Sequence, residues 1–259
     1  MNDFYDTLGF DAQATVDSGY YDRYFKNVHR LHLSLKKAIL KCNKNPVIAE
    51  IKLASPSLGT IREDTDVIKI AKCFEKGGAT AISVLTEPRH FKGSIDTLSN
   101  IRNIVKLPLL MKDIILSQIQ IAAAISRGAD AVLLIKTLYD RGYGESDLDN
   151  MIEYAQRNGL EVLLEVHTEK EFKAAKKTNA DIIGINNRNL ANLKVDLDTT
   201  KKILKTNNFE DLVIVSESGI NTPEDIRFLS QTGVSAFLIG SSIMLADNIE
   251  EKVRELVNA

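Results

Sequence analysis

A single (β/α)8 barrel (TIM barrel) of the α/β class, with an N-terminal helical extension, is the fold this sequence predicts. Three observations predict it: eight short apolar runs, helical periodicity in the intervals between them, and a strand opening that recurs in every second unit. The recurrent opening reads Gly78-Ala79-Thr80-Ala81-Ile82-Ser83-Val84-Leu85, then Gly128-Ala129-Asp130-Ala131-Val132-Leu133-Leu134-Ile135. It returns as Asn179-Ala180-Asp181-Ile182-Ile183-Gly184-Ile185 and as Gly233-Val234-Ser235-Ala236-Phe237-Leu238-Ile239-Gly240. Each copy starts with a Gly or Asn suited to a helix C-cap and passes at once into a strand. Residues 47–51, 107–111, 161–165 and 212–215 supply the other four runs. Near-continuous apolar strands suit a parallel sheet covered on both faces, and without a dinucleotide fingerprint an open doubly wound sheet is the weaker reading.

Taken in order, residues 1–23 are weakly patterned and predict only a short helix or arm. Tyr24, Val28, Leu31, Leu35 and Ile39 then recur at spacings of three and four, which predicts an amphipathic helix lying as a lid or plug across one end of the barrel. Residues 1–45 are therefore expected to form the extension and residues 46–259 the barrel, within one domain. In the first strand Ile48, Glu50 and Lys52 share one face, Val47, Ala49 and Ile51 the other, and Ser55-Pro56-Ser57 breaks the run. Between later strands, Ile119, Ala122, Ala123 and Ile125 trace one helix face, and Thr222 before Pro223 opens another helix as N-cap.

Composition narrows the function. A chain of 259 residues with 44% apolar and 26% charged content fits one such barrel. A net charge of −2 gives no electrostatic footprint for nucleic acid or an anionic membrane, so a small-molecule partner is expected. Cys42 and Cys73 lack partners at disulfide or zinc-ligand spacing and read as packing in helical segments, so no metal is expected. With neither a leader pattern nor a bilayer-length apolar run, a cytoplasmic setting is expected.

The strand ends carry the chemistry. They read Glu50 and Lys52, Thr86-Glu87, Lys112-Asp113, Lys136, Glu165, Asn186 with Arg188, Glu217-Ser218-Gly219, and Gly240-Ser241-Ser242. By strand parity Glu50, Lys52, Lys112, Glu165, Asn186 and Glu217 continue the face of Ile48, Leu110, Leu163, Ile182 or Val215, so they point into the barrel. Isolated charges there would each cost on the order of several kcal/mol, so opposite charges must meet, and such crowding tunes groups for proton transfer. Glu87, Asp113 and Lys136 are read instead as strands leaving into solvent, and His167, which strand parity could bring to the rim, as a solvated or hydrogen-bonded loop residue. Ser218-Gly219 and Gly240-Ser241-Ser242 on the last two strands suit a phosphate, with a short helix opening near Ser242.

These residues occur in extended motifs: Ile48-Ala49-Glu50-Ile51-Lys52 through Ser55-Pro56-Ser57, Ser83-Val84-Leu85-Thr86-Glu87-Pro88 with Phe91-Lys92-Gly93-Ser94, and Met111-Lys112-Asp113. Leu164-Glu165-Val166, Gly184-Ile185-Asn186-Asn187-Arg188-Asn189-Leu190 and Ser216-Glu217-Ser218-Gly219-Ile220 follow. Together, at seven of eight strand ends, they resemble indole-3-glycerol phosphate synthases. The resemblance implies ring closure of 1-(2-carboxyphenylamino)-1-deoxyribulose 5-phosphate to indole-3-glycerol phosphate, with loss of carbon dioxide and water, in tryptophan biosynthesis. It implies Lys112 as general acid, Glu165 as general base in the dehydration, and Lys52 as holder of the departing carboxylate. Glu50, Asn186, Arg188 and Glu217 would orient lysines and hydroxyls, Phe91 and Ser218 would contact substrate, and Ser55, Gly219, Gly240 and Ser241 would take the phosphate.

No cofactor is called for, because decarboxylation itself returns electrons to the aromatic ring. Lys52 is expected to lower the pKa of Lys112 and sharpen it as an acid. Two positions depart from the family pattern: Ile114 stands where an aromatic is usual, and Leu58 where a basic or small residue is commoner. A phosphoribosylanthranilate isomerase would lead with Cys and Asp at the rim rather than Glu50 and Lys52; a non-catalytic phosphosugar-binding barrel would leave the acid–base set unexplained. A monomer or weak homo-oligomer is expected.

Overall fold

Strands β1 (Val47–Ile51), β2 (Ala81–Leu85), β3 (Leu109–Lys112), β4 (Ala131–Ile135), β5 (Glu161–Val166), β6 (Ile182–Asn186), β7 (Ile214–Glu217) and β8 (Ala236–Ile239) close into one parallel ring. The computed structural model describes residues 3–22, 32–56, 58–62 and 66–259. Each strand pairs with its sequence neighbours, and the ring closes where Val47 lies beside Phe237. The Pro46 carbonyl accepts the Phe237 N–H at 3.0 Å across that seam. The third strand starts at Leu109 rather than Leu107, since Pro108 has no N–H for a ladder.

Parity divides the apolar residues into two layers. Val47, Ala49 and Ile51, with their equivalents on other strands, pack outward against the helices. Ile48, Leu110, Leu163 and Val215 fill the interior with Ala81, Ala131, Ile182 and Ala236. Gly78 (φ 93°) and Gly128 (φ 89°) end their helices in the left-handed conformation that glycine adopts without steric cost. Asn179 does not act this way: its helix, Glu169–Ala175, is capped by Lys176, and the chain unwinds through Thr178 before β6.

The N-terminal segment covers both ends of the barrel. Helix α1 (Phe4–Asp17) begins at a capping box of Asp3 and Asp6 and lies over the C-terminal mouth. Asp3 and Asp6 pair with Arg141, Asp11 with Arg89 and His90, all on loops at that end. Helix α2 (Leu35–Lys41) plugs the opposite end, where Leu35 and Ile39 join the interior cluster. The helix expected from Tyr24 is not continuous, because residues 32–34 are not helical: the Leu33 N–H donates to Asp130 at 2.8 Å and the Ser34 hydroxyl to Glu161. Tyr24, Val28 and Leu31 lie outside the described residues. Among the described residues no helix is long and apolar enough to cross a membrane.

Candidate active site

Alternate strands contribute alternate layers to a barrel interior. The uppermost layer from β1, β3, β5 and β7 is Glu50, Lys112, Glu165 and Glu217, directly above Ile48, Leu110, Leu163 and Val215. Residues far apart in the chain thus become lateral neighbours. Lys112 Nζ donates to Glu217 Oε2 at 2.9 Å and stands 3.5 Å from Glu50 Oε2 and 3.9 Å from Glu165 Oε2. Lys52, one step beyond β1, is 3.8 Å from Glu50 Oε1.

Small residues on the intervening strands make room for the carboxylates. Ser83 donates to Glu50 Oε2 at 3.4 Å. A Cβ on Gly184 would stand 2.1 Å from Glu217 Oε1, and one on Gly240 2.7 Å from Glu50 Oε1. The barrel therefore holds its charged layer only because these positions carry no bulk.

The lysines differ in electrostatic setting, and in the opposite sense to that expected. Burial works against the charge of Lys112, but Glu217, Glu50 and Glu165 outweigh it and raise its pKa. For Lys52 burial prevails: Glu50 opposes it, but Lys112 and Arg188 reinforce it, and the pKa falls. Three carboxylates crowd one lysine while a single carboxylate reaches the other. Burial, with Glu165 and Glu50 adding, raises the Glu217 carboxyl against the pull of Lys112. Burial would raise Glu165 too, yet the His167 imidazole and Lys112 more than offset it and hold that carboxyl low.

Two pockets meet at this layer, and Glu50, Lys52, Lys112, Arg188 and Ser218 face both. One, beneath α1, is apolar and lined by Phe4, Leu8, Phe91, Ile114, Ile135 and Leu190. Here Ile114 supplies an aliphatic wall, while Phe4 and Leu8 escaped sequence reasoning. Their spacing of four, continued by Ala12, was the available signal. The other pocket, of about 450 Å3, is the more polar of the two and lined in part by Gly219, Gly240, Ser241 and Ser242, with Leu58 at its rim. Ser218 adopts φ 65°, unusual for a residue with a side chain, and its carbonyl accepts from Asn187 Nδ2 at 3.2 Å. Ser241 opens the short helix Ser241–Met244.

Most residues singled out in the sequence converge here. Asn186 accepts the Arg188 N–H at 2.9 Å, and the Arg188 guanidinium donates to the Leu193 carbonyl at 3.0 Å. Ser55 lies apart from Gly219, Gly240 and Ser241: it lines the apolar pocket, with its hydroxyl oxygen accepting the Leu58 N–H at 3.2 Å.

Three residues read as leaving into solvent are buried, and the side chain of His167 is enclosed. Glu87, 2% exposed, accepts the N–H groups of Arg89, His90 and Phe91, because the chain turns back over it. Asp113, also 2% exposed, accepts from Thr86 at 2.5 Å and Tyr21 at 3.0 Å, since the chain after α1 covers it. Lys136 packs at the head of a helix and pairs with Asp140. The His167 side chain is 6% exposed, with Nε2 3.2 Å from Glu165 Oε1, because Tyr5 of α1 closes over it.

Such a layer is suited to proton transfer, and the paired pockets suit a ligand apolar at one end and anionic at the other. Fold and site together define a barrel enzyme of the acid–base class. A family model described as indole-3-glycerol phosphate synthase matches residues 14–256. An indole-3-glycerol phosphate synthase of Caldanaerobacter subterraneus is 45% identical over 231 residues, 89% of this chain and 87% of that one. Its counterpart in Methanocaldococcus jannaschii is 47% identical over 229 residues, 87% and 83% of the two chains. The chain belongs to the indole-3-glycerol phosphate synthase family.

Solved structures echo the fold alone. A thiamine phosphate pyrophosphorylase from Pyrococcus furiosus superposes with a TM-score of 0.59 at 20% identity, covering 86% of this chain and 96% of its own. An N-acetylmannosamine-6-phosphate 2-epimerase from Clostridium perfringens gives 0.60 at 16%, covering 84% and 93%.

Proposed function

We propose that this enzyme closes the indole ring of 1-(2-carboxyphenylamino)-1-deoxyribulose 5-phosphate, releasing carbon dioxide and water to leave indole-3-glycerol phosphate. The observation that carries the reading is Lys112, set among three carboxylates where the apolar and polar pockets join. The carboxyphenyl ring takes the apolar pocket against Phe91, Phe4, Leu8 and Ile114. Gly219, Gly240 and Ser241 take the phosphate, while Ser55 stays on the side of the apolar pocket. The ketone is then left above the charged layer.

The ring carbon bearing the carboxylate attacks the ketone carbon, and Lys112 gives a proton to the ketone oxygen. An alkoxide is more basic than even a lysine of raised pKa, so donation in that transition state stays favourable. Lys52 holds the carboxylate until carbon dioxide departs and its bonding electrons restore the aromatic ring. Glu165 then takes a proton from the adjacent ring carbon while a lysine ammonium of the layer protonates the new hydroxyl, which leaves as water as the indole double bond forms. Glu50 and Glu217 keep Lys112 in place, and Asn186, Arg188 and Ser218 orient the sugar hydroxyls.

We read the enzyme further as cytoplasmic, a monomer or weak homo-oligomer, with residues 1–45 extending a catalytic barrel of residues 46–259. Indole fluorescence formed from the carboxyphenylamino substrate tests the assignment. Lys112→Ala is expected to lower kcat at least about a hundredfold; undiminished turnover would remove the acid role.

A further inference from the structure

Glu165 presents its two carboxylate oxygens to different surroundings. Oε2 faces Lys112 at 3.9 Å, on the side of the apolar pocket. Oε1 faces His167, whose ring is absent from the lining of both pockets that meet at Lys112. Beyond His167 lies a separate cavity of about 300 Å3, walled by loops after β4, β5 and β6 and by the start of α1. Its lining runs from the buried Asn186 and Asn187 out to the exposed Thr168, Asn189 and Ala191. It therefore joins the back of the catalytic layer to the surface by a route that does not cross the substrate pockets.

We infer that His167 is the proton outlet of Glu165, passing the proton gathered in dehydration out of the barrel mouth and into this rear cavity. The inference rests on the role of general base proposed for Glu165 above. While the aromatic ring fills the apolar pocket, the Oε2 side of Glu165 is closed off by substrate. The Oε1 side remains open to the imidazole. A half-turn of the carboxyl brings a proton taken on one oxygen to face the other side.

In the transfer the O–H bond of the Glu165 carboxyl breaks and an N–H bond forms at His167 Nε2. The proton on Nδ1 then leaves toward Glu171 Oε2, 4.0 Å away, or directly into the cavity, which returns the ring to neutrality. Proton bookkeeping agrees: two protons are donated at the mouth, one to the ketone oxygen and one to the departing hydroxyl, and the single proton collected by Glu165 must be shed before the next turnover.

The ring is built in for such a step. Among the described residues neither of its buried nitrogens has a hydrogen bond of ordinary geometry, so both remain available. Tyr5 packs edge-on at 5.4 Å and 89°, which holds the imidazole between the two carboxylates. Glu171 is itself anchored, accepting from Thr137 at 2.7 Å and from the His167 N–H at 2.7 Å. The titratable and charged groups around the ring are Glu165 on β5, Glu171 on the following helix and Tyr5 on α1, with Asp3 and Arg141 on the cavity wall.

Single-turnover and steady-state rates of His167→Ala and His167→Gln, measured across pH with and without added imidazole, test this. Both variants are expected to lose about tenfold or more in kcat with KM within about twofold of wild type. Imidazole should restore His167→Ala in proportion to its free base and leave Glu165→Gln inactive. Unchanged kcat in both His167 variants would overturn the outlet. A loss that imidazole does not relieve, with a pH profile parallel to wild type, would also overturn it and leave His167 a packing residue. If Glu165→Gln itself turns over normally, the base assignment fails first; if only Glu165→Gln is impaired, that assignment stands and the outlet falls.

Discussion

Gly184→Ala probes the charged layer without touching a charge. The added methyl would sit 2.1 Å from Glu217 Oε1 and 2.7 Å from Leu163 Cδ2, about 1 Å inside any tolerated carbon–oxygen approach. Leu163 belongs to the packed interior, so Glu217 has to give way, and its 2.9 Å bond to Lys112 goes with it. Overpacking costs about 1–3 kcal/mol and a buried charge-assisted hydrogen bond about 1.5–3 kcal/mol. A net loss of about 3 kcal/mol would lower Tm by about 6–12 °C for a chain of this size. Because Lys112 loses its shortest contact, kcat is expected to fall by about a hundredfold. Thermal unfolding and indole fluorescence report the two effects separately. In a Glu217→Ala background most of the clash is gone, so the same methyl should cost far less. An unshifted Tm and full turnover in Gly184→Ala, or equal costs in the two backgrounds, would refute the reasoning.

Ser241→Asp is expected to raise KM by repelling the substrate phosphate while sparing kcat; steady-state kinetics showing a fall in kcat alone would count against the polar pocket as anchor. Burial pushes Asp113 up to about 7, so its neutral form is favoured in the folded chain. The sign follows: its stabilisation is complete below the unfolded value of about 3.9 and fades as pH rises through about 7, by on the order of 4 kcal/mol. Asp113→Asn should therefore flatten the stability–pH curve between those limits, and parallel curves from denaturant titrations would contradict this. Arg141→Ala removes the clamp on Asp3 and Asp6, so amide exchange in α1 should quicken and KM should rise; unaltered exchange would show that α1 is held by its apolar face alone.

The strands and their inward faces were legible because alternation is local: Ile48 and Glu50, or Leu163 and Glu165, announce their side within three residues. Residues that this alternation sends inward, such as Lys112, Glu217 and Asn186, fell where parity directs them. What escaped depended on chain from elsewhere. Asp113 reads as a polar strand exit until Tyr21 covers it, and His167 as a loop residue until Tyr5 and Glu171 enclose it. The ordering of the lysines inverted for the same reason, since three carboxylates from β1, β5 and β7 surround Lys112 and only their assembly reveals the count.

The two caps of the barrel belong to one stretch of chain, and that sets an order of events. Asp3 finds Arg141 across 138 positions and Ser34 finds Glu161 across 127, so neither helix has a seat until the middle of the polypeptide has curled into a ring. Both helices are thus expected to settle late in folding. With Phe4 and Leu8 forming one wall of the apolar pocket, that pocket is complete only once the final docking is done.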